Sequence, residues 1–137
     1  MNHPYFGLMT KEDDCFKTEI NGKPYTIDSY LFEYGMGELA VKTVKNIEQK
    51  YHEILNRVSN DLLPMYNDSW KDEEDPILNS EQFINRLKLC FIDVQYYEDD
   101  EIHTALQYED DGLFGYHWIR ITVEKNGDLI EQAGICG

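Results

Sequence analysis

Hydrophobic and polar positions alternate with a period of two near the start of the chain. In residues 15–32 the apolar positions alternate with polar or charged ones on both sides of Asn21-Gly22. A period of two is typical of a β-strand with one buried face, and both residues of an Asn-Gly pair tolerate positive φ. The segment is therefore predicted to form a β-hairpin with its turn at Asn21-Gly22.

The period then changes to steps of three and four, which indicates a long helix from about Gly37 to about Leu63. Its apolar stripe consists of Ala40, Val44, Ile47, Tyr51, Ile54, Val58 and Leu62. Pro64 is predicted to mark its end. The opposite side is expected to be a solvated face, formed by Glu38, Lys42, Lys45, Glu48, Lys50, Glu53 and Arg57.

A second helix is predicted from about Ser80 to Leu89, because Asn79 and Gln82 have the spacing of a capping box. Alternating strand-like segments follow, with a second hairpin signal at Asn126-Gly127. The predicted order is ββααβββ, within a single domain that spans residues 1–137. We expect an α+β fold, in which an antiparallel sheet packs two helices on one face.

The charge is strongly negative and unevenly distributed. The net charge is −15, and residues 61–111 hold 15 acidic and only 3 basic side chains. Nucleic acids and anionic membranes are not expected partners, since both bind lysine and arginine. A basic protein is the partner that such charge favours. The alternative is that the acidic surface only keeps the protein soluble.

The cysteines and the first residues exclude other classes of protein. Cys15, Cys90 and Cys136 are odd in number and far apart, which argues against a disulfide framework or a thiolate metal site. The opening "MNHPYFGLMTKEDD" has no basic region followed by an apolar one, and no window approaches about 18 apolar residues. We expect a soluble cytoplasmic protein without a cofactor.

Glu109, Asp110, Asp111 and His117 are the candidate catalytic or metal-binding residues. If residues 109–111 stay extended, Glu109 and Asp111 share a face, and His117 could approach them to form a cation site or a general base. However, the spacing matches no known metal or nucleophile motif, and Asp111-Gly112 is also an ordinary turn pair. We favour the structural interpretation, assign no metal ligand, and expect a binding protein rather than an enzyme.

The segment "YYEDDEIH" at 96–103 is the stronger candidate for a binding surface. Tyrosine beside carboxylates suits contact with Arg or Lys. Trp70 in "WKDEED" either folds back on the core or anchors a partner. These segments and "YEDD" at 108–111 build one negative face, or they are three separate solvated turns. The predicted partner-binding residues are Tyr96, Tyr97, Glu98, Asp99, Asp100, Glu101, Trp70 and Asp110.

Four stretches together resemble the bacterial family called domain of unknown function 2262. They are "HPYFG", "LLPMYNDSW", "NSEQFINRLKL" and "DDGLFGYHWIRITV" with the final "AGICG". The resemblance covers the C-terminal half best. The family places Trp-Gly before the histidine, whereas this chain has Gly115-Tyr116 before His117. An aromatic still precedes the histidine, so an aromatic contact with it is expected.

The resemblance supports the fold and a cytoplasmic location, and it brings no established activity. Similar small acidic bacterial proteins often act as immunity partners of toxins, which is an association rather than a mechanism. The function that we expect is a protein-binding module of the immunity or antitoxin kind, which engages a basic partner. The alternatives are a metal-dependent enzyme with a carboxylate and histidine site, and a structural domain without chemistry.

Overall fold

The chain folds into one large sheet, one long helix and several short elements. The computed structural model describes residues 1–130 and 132–136. The strands are β1 (Asn2–His3), β2 (Gly7–Leu8), β3 (Thr10–Glu12), β4 (Cys15–Ile20), β5 (Lys23–Asp28), β6 (Lys88–Tyr96), β7 (Ile102–Glu109), β8 (Trp118–Glu124) and β9 (Gly134–Cys136). The helical elements are α1 (Tyr30–Glu33), α2 (Gly37–Met65), a π-helical turn (Tyr66–Trp70) and α3 (Ser80–Arg86). The α+β class is confirmed, with more strands than predicted.

Strands β3 to β9 form one sheet in chain order, while β1 and β2 pair separately. The hairpin of β4 and β5 has its turn at Asn21-Gly22, as predicted. Asn21 has φ 51° and Gly22 has φ 77°, both in the left-handed region that these residue types tolerate. The turn depends on the backbone preferences of these two adjacent residues, so it could be predicted without knowing the rest of the fold.

One pair of strands departs from the predicted antiparallel sheet, because β5 and β6 run parallel. Tyr25 lies opposite Ile92, and Ile27 lies opposite Val94. The helical residues between the two strands carry the chain back to its starting end of the sheet, and such a crossover produces a parallel pair. As a result, the carboxyl ends of β5 and β6 meet at one edge.

Helix α2 buries the predicted stripe but does not end at Pro64. The helix runs to Met65 and continues into the π-helical turn, so the predicted stop is wrong. Proline removes one backbone donor and usually interrupts a helix. Here Tyr66 is buried against the rings of Phe83 and Phe114, and this packing holds the chain helical beyond the proline.

Helix α3 begins with the predicted capping box. The Asn79 side chain accepts from the Gln82 N–H at 2.8 Å, and the Gln82 side chain accepts from the Asn79 N–H at 2.9 Å. The helix ends at Arg86, three residues before the predicted end. The reason is that Leu89 already pairs with Tyr108 in the sheet, so the chain must be extended there.

One face of the sheet is apolar and packs against α2. Ile27, Val94, Leu106 and Ile121 are fully buried on it, and they share one core with Val44 of the helix. Phe83 of α3 joins the same core, which extends from Phe6 to Ala133. The opposite face is polar. The sheet therefore has one buried face and one polar face, as the alternation in its strands indicates.

Candidate functional site

The two acidic loops lie at opposite ends of strand β7. The acidic hairpin loop (residues 97–101) precedes the strand, and the far loop (residues 110–117) follows it. The strand contains 8 residues, which at the usual rise extend over about 23 Å. Each loop is therefore a separate candidate site.

Of the two alternatives left open by the sequence, this arrangement does not fit a single negative face formed by all three acidic segments. Segments 70–75 and 108–111 are neighbours, because Trp70 packs its ring against Phe114 of the far loop at 5.5 Å between ring centroids. Segment 96–103 lies at the other end of the sheet. Strand length, which keeps the two ends of β7 apart, decides this separation.

The acidic hairpin loop is a tight turn with its carboxylates in solvent. The Tyr97 N–H donates to the Glu101 carbonyl at 2.8 Å, and the Glu101 N–H donates to the Glu98 carbonyl at 2.7 Å. Asp99 and Asp100 have φ of 48° and 61°, a left-handed conformation that Asp adopts more readily than most residues. All five residues of the loop are exposed.

A cavity of about 440 Å³ lies beside this loop, and we call it the acidic socket. Its walls are formed by Asp99, Glu101, Ile102, His103, Glu124, Lys125, Leu129 and Ile130. Three carboxylates line it, and the Lys125 ammonium donates to the Asp100 carbonyl at 3.1 Å. Ile102, Leu129 and Ile130 contribute apolar surface. Sequence reasoning missed Glu124 and Ile130, because only the folded sheet brings them to the loop.

Tyr96, the last residue of β6, and Tyr97, the first residue of the loop, contact different side chains. Tyr97 is exposed and stacks on His103, with centroids 4.7 Å apart and planes 9° apart. Tyr96 instead stacks on Tyr30 at 4.7 Å, and Tyr30 stacks on Tyr34 at 4.2 Å. The two tyrosine rings therefore pack against different neighbours. Tyr30 and Tyr34 carried no signal in the sequence.

In the far loop, Asp110 is an internal brace. Its carboxylate accepts hydrogen bonds from the N–H groups of Gly112 at 2.9 Å, Phe114 at 2.8 Å and His117 at 3.1 Å. Only 1% of the residue is exposed. The carboxylate thus accepts the hydrogen bonds of the loop's own backbone. Asp110 was predicted to lie on an exposed partner surface, and its burial contradicts that prediction.

Glu109, Asp111 and His117 border one cavity, but the extended arrangement predicted for them is absent. Asp111 has φ 52°, so residues 109–111 leave the extended conformation on which the predicted shared face depended. Its carboxylate pairs with the Arg86 guanidinium. His117 Nδ1–H donates to the Phe114 carbonyl. Among the residues that the structure describes, no three His, Cys, Asp or Glu side chains are arranged to hold a metal ion.

Trp70 folds back on the core, as one of the two alternatives had it. Its ring packs edge-on against Phe114, and it also lies 6.1 Å from the His117 ring. However, 43% of the residue remains exposed. The expected aromatic contact with His117 is therefore made by Trp70, from a segment distant in sequence.

A third cluster of polar side chains joins the first hairpin to α2. The Tyr25 hydroxyl donates to Glu48 at 2.6 Å, while Asn21 and Lys23 donate at 2.8 and 3.1 Å. Burial alone would raise the pKa of Glu48, but these three donors outweigh burial and lower it. Burial and the bond to Glu48 raise the pKa of Tyr25. Glu48 was predicted to be solvated, yet its side chain is only 12% exposed.

Comparison with known proteins relates the chain to one family. In the described residues, no helix is long and apolar enough to cross a membrane. No match is found among curated proteins, and none among solved structures. The model of a family described as "Uncharacterized protein conserved in bacteria (DUF2262)" matches residues 22–135, which include β5 and α2 as well as the C-terminal half. The chain therefore belongs to the DUF2262 family of bacterial proteins.

Proposed function

We propose that the protein is a binding module for a basic protein partner, of the immunity or antitoxin kind. The observation that carries the proposal is the acidic socket beside the exposed hairpin loop. Asp99, Glu101 and Glu124 surround a cavity of about 440 Å³ that also has apolar walls. Such a cavity suits a Lys or Arg side chain, which combines an apolar stem with a charged head.

The charge distribution supports the same partner class. The whole chain has a net charge of −15, and the hairpin loop presents four consecutive acidic residues, Glu98 to Glu101, at one end of the sheet. Long-range attraction of this kind raises the association rate with a positively charged protein. Tyr97 adds an exposed ring beside the carboxylates, as expected for a residue that contacts Arg in an interface.

The proposed location is the cytoplasm. Cys15, Cys90 and Cys136 are all free thiols in the fold. Free cysteines are usual in a reducing compartment. The proposal is tested by the redox state of these thiols after rapid acid quenching of intact cells, in which extensive oxidation would contradict it.

The partner is first sought by capture from a bacterial lysate at low salt and elution with a salt step. The captured basic protein is then purified, and its association rate is measured with a triple variant, Asp99→Asn, Asp100→Asn and Glu101→Gln. Asn is chosen because it tolerates the left-handed backbone of these positions. We expect association to slow by on the order of tenfold at low salt.

The matched control is the variant Glu73→Gln, Glu74→Gln and Asp75→Asn, which changes the net charge equally at the other end of the sheet. Its association rate should stay within about twofold of the unmodified protein if contact is made at the hairpin loop. If both variants slow association equally, the slowing is explained by net charge alone and does not locate the contact at the hairpin loop. An empty salt eluate would count against the proposal.

A further inference from the structure

A second cavity lies at the far end of the sheet. It has a volume of about 360 Å³, and we call it the aromatic pocket. Its walls are Glu109, Asp110, Asp111, Tyr116, His117 and Trp118. It shares no residue with the acidic socket, so it requires an explanation of its own.

Two aromatic rings stand at the wall of the aromatic pocket. Tyr116 is 86% exposed and Trp118 is 41% exposed. Tyr116 has φ 63°, and the glycine that its ring covers, Gly112, has φ 78°. A Cβ atom on Gly112 would lie 3.1 Å from Cζ of Tyr116. The missing Cβ thus lets the tyrosine ring rest against the loop.

Glu109 provides the negative charge of the aromatic pocket. It lies directly opposite Trp118 in the pairing of β7 with β8, so both side chains are on one face of the sheet. The Asp110 carboxylate is occupied by backbone N–H groups, and that of Asp111 by Arg86. Glu109 is exposed, and within residues 1–130 and 132–136 it has no ion-pair partner.

From this geometry we infer that the aromatic pocket binds an organic cation, either an alkylammonium or a guanidinium group. Aromatic faces attract such cations, and the attraction increases when several groups enclose the charge. A carboxylate at the same wall accepts hydrogen bonds from the cation. The source is an Arg or Lys side chain of a peptide or a free polyamine. The inference does not depend on the acidic socket.

The test uses tryptophan fluorescence of the full chain. The protein contains two tryptophans, so Trp70→Phe leaves Trp118 as the only reporter. In that background the probes are N-acetylarginine amide, N-acetyllysine amide and spermidine. N-acetylcitrulline amide is the neutral control, because it keeps the shape of the arginine probe and removes its charge. We expect saturable fluorescence changes with at least one cation and none with the neutral control.

Variants locate the binding. Glu109→Gln should lower the affinity for the tightest-binding cation by at least about threefold, since one charge contact is lost. Tyr116→Leu should weaken it similarly, whereas Tyr116→Phe keeps the ring and should retain most of the affinity. Asp99→Asn with Glu101→Gln, at the acidic socket, should leave the affinity unchanged. Circular dichroism spectra of all variants check that the fold is retained.

The preferred probe identifies the source of the cation. Tighter binding of an amino-acid amide would indicate a peptide side chain, and tighter binding of spermidine would indicate a polyamine. The inference is overturned if no cation gives a saturable change, if the citrulline probe binds equally, or if Glu109→Gln has no effect. A loss caused only by the Asp99 and Glu101 changes would assign the binding to the acidic socket instead.

Discussion

The hydroxyl group of Tyr25 donates a 2.6 Å hydrogen bond to the carboxylate of Glu48, and this bond fastens strand β5 to helix α2. Tyr25 is almost completely buried. We expect Tyr25→Phe to lower the free energy of unfolding by about 1.5–3 kcal/mol, because a hydrogen bond to a charged group is lost. Urea denaturation measures the change. Tyr34→Phe, at an exposed tyrosine, is the control and should change stability by less than about 0.5 kcal/mol.

The same carboxylate predicts part of the acid sensitivity of the fold. The hydrogen bonds to Glu48 lower its pKa in the folded state. Its contribution to stability is therefore complete above the ordinary Glu pKa of about 4.3 and is lost as the pH falls through the lowered folded value. The difference in unfolding free energy between the unmodified protein and Glu48→Gln should shrink over that range. A difference that stays constant from neutral to strongly acidic pH would contradict this assignment.

Asp110 is expected to stabilise the fold much more than its neighbour Asp111. Asp110→Ala leaves three backbone N–H groups of the far loop without their acceptor and should cost about 2–4 kcal/mol. Asp111→Ala removes only an exposed pair with Arg86 and should cost about 1 kcal/mol or less. Chemical denaturation of both variants decides the matter. Equal losses of stability would contradict the claim that the backbone hydrogen bonds of Asp110 stabilise the loop.

Thr104 offers a stabilising substitution. Its hydroxyl oxygen is fully buried and has no hydrogen-bond partner among the described residues. Valine has nearly the same shape and no polar atom, so Thr104→Val removes an uncompensated desolvation cost. We expect the free energy of unfolding to rise by about 1 kcal/mol. A loss of stability in thermal or urea melts would mean that the hydroxyl has a partner, for example a buried water molecule.

Divalent ions test the alternative of a metal-dependent enzyme. Asp110 is occupied by the backbone and Asp111 by Arg86, which leaves Glu109 and His117 as remaining ligands in the far loop. Two ligands hold a metal ion weakly, since stable sites use several converging donors. We expect magnesium, calcium, manganese and zinc to leave the Tm unchanged. A saturable rise in Tm that His117→Ala abolishes would favour the enzyme.

Local signals in the sequence were sufficient for several elements. Asn21 and Gly22 both adopt the positive φ that their turn requires. Asn79 and Gln82 exchange the two hydrogen bonds of a capping box within one helical turn. The apolar stripe of α2 follows from helical periodicity. Each of these features depends on residues only a few positions apart, so the chain alone specifies them.

Other features depend on residues far apart in the chain, and the predictions failed there. Pro64 has a local tendency to end the helix, but the burial of Tyr66 outweighs it. Glu48 has the spacing of a solvated residue, yet the hairpin folds over it and supplies three donors. The three acidic segments look alike in sequence, and only the length of β7 separates two of them from the third.

By itself, the sequence determined the α+β class, the first hairpin, the long helix and the strongly acidic character of the protein. Tertiary structure decided which carboxylates are available to a ligand. Asp110 turns inward to its loop, whereas Asp99, Glu101 and Glu124 surround the acidic socket. The physical reason is that a carboxylate is either desolvated and satisfied by nearby donors or left in water, and those donors come from parts of the chain that only folding brings together.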